Sequence, residues 1–174
     1  GNTDPKKNTP GTLKAYAEYV RRSENPLPLL VADLGEQPAE AILREIGEPR
    51  LRGMLRLAGY IPNSDLPAIY NRASAFLYTS LRESFGIPQL EAMACGTPVV
   101  TSATSAIPEV AGEGAILVDP TDPKAIADAL LRLETDAAFR ARQVAYGLDR
   151  VKQFSWEKTA RHLLALYESL GKTN

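Results

Sequence analysis

Two acidic residues, Glu83 and Glu91, flank a segment that joins a loop to the start of a helix. Pro88 suits the first turn of a helix, because its fixed φ and missing N–H cost nothing there. The residues from Gln89 to Cys95 are mostly strong helix formers. The loop before Pro88 therefore leaves backbone N–H groups unpaired at a helix N-terminus, where the helix dipole favours an anion such as a diphosphate.

The two carboxylates have a different task from the anion site between them. We do not expect either to contact a phosphate, because like charges repel. A carboxylate beside a polar ligand is better suited to accept hydrogen bonds from hydroxyl groups. Because Glu83 and Glu91 are separated by seven residues, they can lie at opposite ends of one extended ligand. An anion flanked by two hydroxyl-rich groups describes a nucleotide sugar.

The elements that must position these residues alternate along the chain. Short apolar runs predict strands, and apolar residues at helical spacing predict the helices between them. This alternation predicts an α/β fold with a parallel sheet covered by helices on both faces. The predicted strands are 29–32, 54–61, 76–78, 98–102 and 115–118, and the predicted helices are 9–22, 37–46, 64–72, 89–95, one capped by Asp122 and a last one capped by Ser155.

Composition sets broad limits on the function. The chain has 174 residues, of which 44% are hydrophobic and 24% charged, as expected for one globular domain. Its net charge of −1 creates no overall field that would recruit nucleic acid. No apolar run approaches the roughly 20 residues that span a bilayer. The single cysteine, Cys95, and the single histidine, His162, cannot supply the roughly four ligands of a zinc site, and we interpret both as structural.

The segment from Glu83 to Val99, ESFGIPQLEAMACGTPV, resembles the signature of the retaining GT-B glycosyltransferases of family four, the group 1 glycosyltransferases. In that signature two glutamates are separated by seven residues. Segments 1–8, 108–112, 114–120 and 154–160 are similar to further motifs of the same family. The resemblance implies that residues 1–174 form a single Rossmann-like nucleotide-sugar-binding domain, the C-terminal half of a GT-B fold. The domain's first strand and the N-terminal acceptor domain would lie outside this chain, and the last helix would cross back toward that acceptor domain.

The resemblance also implies roles for the residues around the predicted anion site. Glu83 would accept hydrogen bonds from the donor sugar and Lys7 would neutralise the departing diphosphate, so these two are the predicted catalytic residues. The neighbouring Lys6 makes the choice of lysine less definite. The backbone N–H groups of Phe85, Gly86 and Ile87 would approach the sugar and the distal phosphate, with Ser84 at a position where many relatives have glycine.

The remaining predicted donor contacts are more distant in the sequence. By resemblance Glu91 would accept both ribose hydroxyls. The backbone of Tyr60 and Ile61 would meet the base, with Gly59 beside them and Asp65 as a weaker candidate, although ordinary core packing is an equal alternative for Tyr60. Asn2 stands where many relatives carry an arginine that grips the diphosphate. Because asparagine carries no charge, Arg82 is a candidate to replace that contact.

The function that the resemblance implies is donor binding in an enzyme that transfers a hexose to a glycan or lipid-linked acceptor during polysaccharide biosynthesis. The preferred donor is GDP-mannose, with UDP-sugars as the alternative, and no cofactor or metal is expected. Its partners would be the nucleotide sugar and the protein's own N-terminal domain. The protein would be cytoplasmic, and peripheral association of the full-length enzyme with the inner face of the membrane is left open. Two alternatives remain, a GT-B epimerase acting on nucleotide sugars and a non-catalytic interaction module.

Overall fold

The structure, a computed structural model, describes residues 2–171. Within these residues, five strands and eight α-helices alternate as far as β5, and three helices follow it. The sequence predicts the five strands and six of the helices. The strands are β1 (Leu29–Ala32), β2 (Leu55–Gly59), β3 (Phe76–Tyr78), β4 (Val99–Ser102) and β5 (Ile116–Val118). The helices are α1 (Thr9–Arg22), α2 (Glu36–Glu45), α3 (Leu66–Arg72), α4 (Ile87–Ala94), α5 (Ile107–Ala111), α6 (Pro123–Thr135), α7 (Ala137–Val151) and α8 (Trp156–Gly171). Short 3₁₀ segments lie at Pro5–Lys7, Pro49–Met54 and Gly112–Gly114.

All strand pairs among the described residues are parallel, but they form two sheets. β1 pairs with β2, with Leu29 opposite Leu55, and β3, β4 and β5 form a second sheet in that order. β1 and β3 are not hydrogen-bonded to each other anywhere in residues 2–171. Parallel strands need long crossover connections, and here helices supply them.

Helices cover both faces of the three-stranded sheet. Neighbouring residues of β4 point to opposite faces, because side chains alternate along a strand. Val99 packs with Met93 of α4, whereas Val100 packs with Ile126 of α6. Helix α1 contributes to the cores of both sheets, since Ala15 packs with Val100 and other α1 residues pack with β1. The expected α/β architecture with helices on both faces is therefore confirmed.

The predicted helix boundaries agree closely with the structure where a cap is present. Asp122 accepts hydrogen bonds from the backbone of Lys124 and Ala125, and Ser155 accepts one from Lys158. The strand predicted at 54–61 is shorter than expected, because Met54 belongs to a 3₁₀ segment and β2 ends at Gly59. Cys95, interpreted as structural, is half-buried at the end of α4 and packs against the core cluster that contains Met93.

Two helices, α5 and α7, are not anticipated from the sequence. Gly147 lies inside α7, where glycine disfavours a helix by about 1 kcal/mol relative to alanine. It allows α7 to approach α4 closely, since a Cβ there would lie 3.1 Å from Cγ of Met93 and 3.4 Å from the carbonyl oxygen of Gly114. Close packing of the two helices thus outweighs local propensity.

The last helix, α8, presents its apolar residues to solvent. All described residues from Ser155 to Gly171 are exposed, including Trp156 at 81% and Tyr167 at 66%. The prediction that part of its apolar stripe would be exposed in this chain is confirmed.

We expect Gly147→Leu to lower the free energy of unfolding by about 1–3 kcal/mol, because the side chain would overpack the contact between α7 and α4. Ala145→Leu is the matched control, since Ala145 lies on the exposed side of the same helix and should change stability by less than about 0.5 kcal/mol. Urea denaturation of both variants measures the difference. Equal effects would show that the close approach at Gly147 does not limit packing.

Candidate functional site

The candidate site lies at the carboxyl ends of the strands, where connecting loops of a parallel sheet meet. The β3–α4 loop, residues 79–86, contains Glu83 and leads into α4. The segment after β4 lies on one side of this loop and the N-terminal residues 2–8 lie on the other. Ligands of open α/β folds bind in crevices at this end of the sheet.

Hydroxyl groups after β4 fix the path of the β3–α4 loop on one side. Each donates a hydrogen bond to a loop carbonyl, so the loop backbone is satisfied without regular secondary structure. The three bonds run from Ser102 to Ser80 at 2.6 Å, from Thr104 to Leu81 at 3.2 Å and from Ser105 to Glu83 at 2.7 Å.

The N-terminal segment holds the loop from the other side. The backbone N–H of Leu81 donates to the carbonyl oxygen of Lys6 at 2.7 Å. The side-chain amide of Asn8 donates to the carbonyl oxygens of Thr79 at 3.1 Å and Pro120 at 2.8 Å. Asn8 therefore connects the N-terminal segment with the loops that follow β3 and β5.

The structure brings the two predicted catalytic residues into direct contact. Nζ of Lys7 lies 2.7 Å from Oε1 of Glu83, and the Glu83 side chain is only 16% exposed. Lys7 also lies 5.8 Å from the centroid of the Tyr78 ring. The ion pair is partly shielded from water, which strengthens it relative to an exposed surface pair.

The Glu83 carboxylate accepts a hydrogen bond from Lys7 at 2.7 Å, and the hydroxyls of Ser80 and Tyr78 lie near it. Partial burial acts to raise its pKa, but the Lys7 ammonium and the two nearby hydroxyls outweigh burial, so the pKa of Glu83 is lowered from its ordinary value of 4.5. Burial, together with the nearby Glu83 carboxylate, raises the pKa of the Tyr78 phenol, which therefore stays protonated at neutral pH. A carboxylate has about four acceptor positions, so the bond from Lys7 leaves room for a ligand hydroxyl.

A cleft of about 210 Å³ opens beside this ion pair. Its lining contains three cationic and two acidic side chains. Lys6 and Arg82 form no ion pair with any residue that the structure describes, whereas Lys7 is partnered by Glu83. The residues that line the cleft are Asp4, Lys6, Lys7, Arg82, Glu83 and Ser84. The excess of positive charge makes the cleft suitable for an anion.

Gly86 forms the turn between the β3–α4 loop and α4. Its φ is +88°, and a Cβ there would lie 2.9 Å from Nε2 of Gln89 and 3.4 Å from Cε1 of Tyr78. Glycine is needed both for the left-handed backbone and for the space. No side chain caps the N-terminus of α4, as expected for a helix end that meets a ligand. Phe85 and Ile87 on either side are exposed.

Gln89 lies beneath this turn and is fully buried. Its Nε2 donates to the carbonyl oxygen of Phe85 at 3.4 Å, while its Oε1 has no hydrogen-bond partner among residues 2–171. A buried amide with one unsatisfied atom costs stability, and here it supports the turn at the end of the loop.

Glu91 lies outside the cleft. It is exposed on α4 and accepts a hydrogen bond from the Tyr70 hydroxyl at 3.3 Å. Burial and the nearby Glu91 charge raise the pKa of Tyr70, so the phenol stays protonated and keeps this carboxylate oriented. The structure therefore places Glu83 and Glu91 in different surroundings, and the ribose-binding role of Glu91 stays a prediction.

The other predicted donor contacts also lie outside the cleft lining. Tyr60 follows Gly59, whose φ is +59°, and is 80% exposed, so the alternative of core packing for Tyr60 is wrong. Oδ1 of Asn2 accepts the backbone N–H of Asp4 at 2.9 Å and is therefore used within its own loop. The predicted residues that do not line the cleft are Asn2, Tyr60, Ile61, Phe85, Gly86, Ile87 and Glu91.

Sequence reasoning missed several residues that shape the site. It assigned Tyr78 and Ser80 only to a strand and its end. Side chains two residues apart in a strand point to the same face, so both can lie near the same third residue. It did not single out Gln89 or Ser105. The run TSATS at 101–105 was a signal for the latter, because hydroxyls beside a loop commonly bind its backbone.

Residues 2–171 contain no group of three or more His, Cys, Asp or Glu side chains arranged to hold a metal ion. None of the helices within the same range has the length and apolar character needed to cross a membrane. His162 lies on the exposed helix α8, outside the cleft lining.

Glu83→Gln should remove a pH-dependent contribution to stability. Because the folded-state pKa of Glu83 is lowered, this contribution is fully present above the unfolded value of 4.5 and is lost as the pH falls through the lower folded value. Urea denaturation between about pH 7 and about pH 3 should show the difference between wild type and variant shrinking on acidification. The same difference measured in a Lys7→Met background should be smaller at neutral pH. A difference that stays constant down to the lowest pH would contradict this prediction.

Comparisons with known proteins agree with this geometry. Residues 1–150 match the family described as "Glycosyl transferases group 1". The chain is 35% identical over 170 residues to the O-antigen chain mannosyltransferase B of Escherichia coli, an alignment that covers 98% of this chain and 45% of the relative. The chain thus spans about half the length of this relative.

Solved structures give the same fold. Sucrose-phosphate synthase from Thermosynechococcus elongatus superposes with a TM-score of 0.80 at 28% identity, covering 98% of this chain and 44% of that protein. Anabaena HepE, crystallised in complex with UDP, gives a TM-score of 0.81 over 97% of this chain and 47% of that protein, and at 18% identity this likeness concerns the fold. The fold is the Rossmann-like domain of GT-B enzymes, and the chain belongs to the group 1 glycosyl transferases.

Proposed function

We propose that this chain is the donor-binding half of a retaining glycosyltransferase that transfers a hexose from a nucleotide sugar. The observation that carries the proposal is the Lys7–Glu83 ion pair at the edge of a cationic cleft, next to the start of α4. The preferred donor is GDP-mannose and the acceptor is a glycan or a lipid-linked glycan. The 35% identity to a mannosyltransferase of O-antigen chains supports this choice over UDP-sugars.

Cationic side chains of the cleft would bind the diphosphate, and a carboxylate would bind the sugar. Lys7, with Lys6 and Arg82 beside it, would hold the diphosphate. Because Arg82 lines the cleft and Asn2 does not, Arg82 is the better candidate to replace the family's arginine. Glu83, held by its ion pair with Lys7, would accept a hydroxyl of the sugar. Lys7 would then be shared between the diphosphate and Glu83.

The nucleoside would lie along α4 and beyond. Glu91 would accept the ribose hydroxyls, and the exposed backbone at Tyr60 and Ile61 would contact the base. The N–H groups of Phe85, Gly86 and Ile87 would reach the sugar and the distal phosphate, because α4 has no side-chain cap that would occupy its N-terminus. Ser84 lines the cleft beside them.

This arrangement supplies electrostatic catalysis. The bond between the anomeric carbon and the diphosphate breaks, and the acceptor hydroxyl attaches on the same face of the sugar. The leaving diphosphate gains negative charge, which Lys7 and the helix N-terminus stabilise. Glu83 orients the sugar for attack. We assign no protein nucleophile, and we propose that these groups act without a cofactor or a metal.

The rest of the protein would supply the acceptor site. The relative's greater length leaves room for such an N-terminal domain. We also propose that a strand preceding residue 1 in the full-length protein lies between β1 and β3. Support comes from α1, which packs against both sheets although β1 and β3 are not paired within residues 2–171. We propose that the full-length enzyme is cytoplasmic and associates with the inner face of the membrane through its acceptor.

Two alternative functions are less well supported. An epimerase needs an acid or base side chain at the sugar, and among the described residues the carboxylates that line the cleft are Asp4 and Glu83, of which Glu83 is paired with Lys7. A non-catalytic module has no need of the ion pair.

Calorimetric titration with GDP-mannose, UDP-glucose and the bare nucleotides tests the binding roles. Glu91→Ala should weaken the binding of a nucleotide and of its nucleotide sugar alike, by about tenfold, because it removes the ribose contact. Glu83→Ala should mainly weaken the binding of the nucleotide sugar, because it removes only the contact with the sugar. Glu113→Ala, an exposed carboxylate outside the cleft, is the matched control and should change neither. Equal losses for both ligands in both site variants would contradict these roles.

Transfer assays on the full-length enzyme test the catalytic role. Lys7→Ala should lower kcat by about a hundredfold or more, because the leaving group loses its charged partner. Lys6→Ala is the matched control, since Lys6 lines the same cleft without contacting Glu83, and should have a much smaller effect. The product should keep the donor's anomeric configuration by NMR, and this chain alone should transfer nothing. Inversion, or a larger effect at Lys6 than at Lys7, would overturn the assignment.

A further inference from the structure

The side chain of Phe85, in the β3–α4 loop, has one aromatic neighbour within the described chain. Its ring meets the ring of Phe154 edge to face, with centroids 5.8 Å apart and an angle of 86°. Phe85 is 43% exposed, so few other contacts restrict it. Edge-to-face aromatic pairs contribute beyond their buried area. The loop end that the proposed function places against the sugar is therefore held by a residue 69 positions later in the chain.

Phe154 is itself held in place by Arg150. The Arg150 guanidinium carbon lies 4.9 Å from the centroid of the Phe154 ring, a distance typical of a cation–π contact. The same guanidinium donates to the backbone carbonyl oxygen of Val110 at 2.9 Å and to that of Glu109. Phe154 thus rests on a cation that is fixed to the backbone of α5.

The space for Arg150 depends on neighbouring glycines. A Cβ at Gly112 would lie 3.0 Å from Nε of Arg150, and one at Gly114 would lie 2.9 Å from its Cβ. Gly112 also has a φ of +52°. The segment after α5 is therefore shaped to admit the Arg150 side chain that supports Phe154.

Phe154 lies in the short turn between α7 and α8. Its backbone N–H donates to the carbonyl oxygen of Val151 at 3.0 Å, and Ser155, the next residue, caps α8. The motif FSWEKTA at 154–160 was singled out in the sequence, and the donor site itself makes no use of it. Phe154, the first residue of this motif, contacts the site through Phe85.

We propose that Phe154 is a positioning residue for donor binding: its ring fixes Phe85 and thereby sets the backbone of residues 85–87 against the sugar and the distal phosphate. This inference rests on the proposed function, because it assigns a partner to the loop that binds the donor. Phe154 does not touch the donor itself. It acts through one ring contact, and removing that contact lets the loop end move while the ion pair of Lys7 and Glu83 stays intact.

Binding measurements on the full-length protein test this proposal, with GDP-mannose and GMP, or UDP-glucose and UMP, as the probes. The monophosphates carry base, ribose and one phosphate but lack the sugar and the distal phosphate. Phe154→Leu should lower the affinity for the nucleotide sugar by about tenfold. It should change the affinity for the monophosphate by no more than about twofold. Phe154→Tyr keeps the ring and should restore most of the loss.

A double variant shows whether Phe154 acts through Phe85. If it does, Phe154→Leu should cost little further affinity in a Phe85→Leu background, because the contact is already absent. Phe139→Leu is the matched control, since its ring packs on Arg132 at 3.7 Å near the start of α7 and away from the loop. It should lower the thermal midpoint without changing the ratio of the two affinities.

The outcomes separate this inference from the proposed function. If the wild type binds neither nucleotide sugar, the proposed function fails. If the wild type binds but Phe154→Leu weakens both probes equally, or costs as much in the Phe85→Leu background as alone, the positioning role is overturned while donor binding stands.

Discussion

The site depends on an ion pair between residues that are 76 positions apart in the chain. Lys7 comes from the N-terminal segment and Glu83 from the loop after β3, so their contact exists only when both segments meet at the carboxyl ends of the strands. A charged pair with low exposure is stable only if its remaining hydrogen-bonding positions are satisfied. The Lys7 ammonium and the nearby Tyr78 and Ser80 hydroxyls together lower the pKa of Glu83. The acid is therefore ionised and oriented before any ligand arrives.

The surrounding loops are fixed by polar contacts more than by apolar packing. Hydroxyls after β4 and the amide of Asn8 bind loop carbonyls from both sides. Gly86 and the buried Gln89 then define how the loop enters α4. Preorganisation of this kind reduces the reorganisation that charge development would otherwise require. The proposed electrostatic role of the site follows from this preorganisation, and the contact between Phe85 and Phe154 links the loop to the turn between α7 and α8.

The sequence predicted the fold well where local signals were strong. The boundaries of α1 and β3 match, because apolar periodicity and flanking polar residues define them, and the caps Asp122 and Ser155 act as expected. Helix α7 was missed because Gly147 weakens its local signal, while its reason for being there is a close approach to α4. The order in which the strands pair has no local sequence signal, so it is visible only in the structure.

The candidate site was predicted less completely than the fold. The roles of Glu83 and Lys7 were predicted from the resemblance. The direct contact between these two residues could not be predicted from their spacing, because they are far apart in the chain. Tyr60 shows the same limit, since an aromatic residue after a strand suits either core or surface, and only the structure shows it to be 80% exposed. Gln89 looked like an ordinary helix residue, although it is fully buried beneath the turn at Gly86.

The most direct measurement is a crystal structure of this chain soaked with GDP-mannose. We expect density for a diphosphate in the cleft, with Nζ of Lys7 within hydrogen-bond distance of a phosphate oxygen and Glu83 facing the sugar. A diphosphate bound elsewhere on the chain, with the Lys7–Glu83 pair undisturbed and its cleft empty, would contradict the proposed donor site.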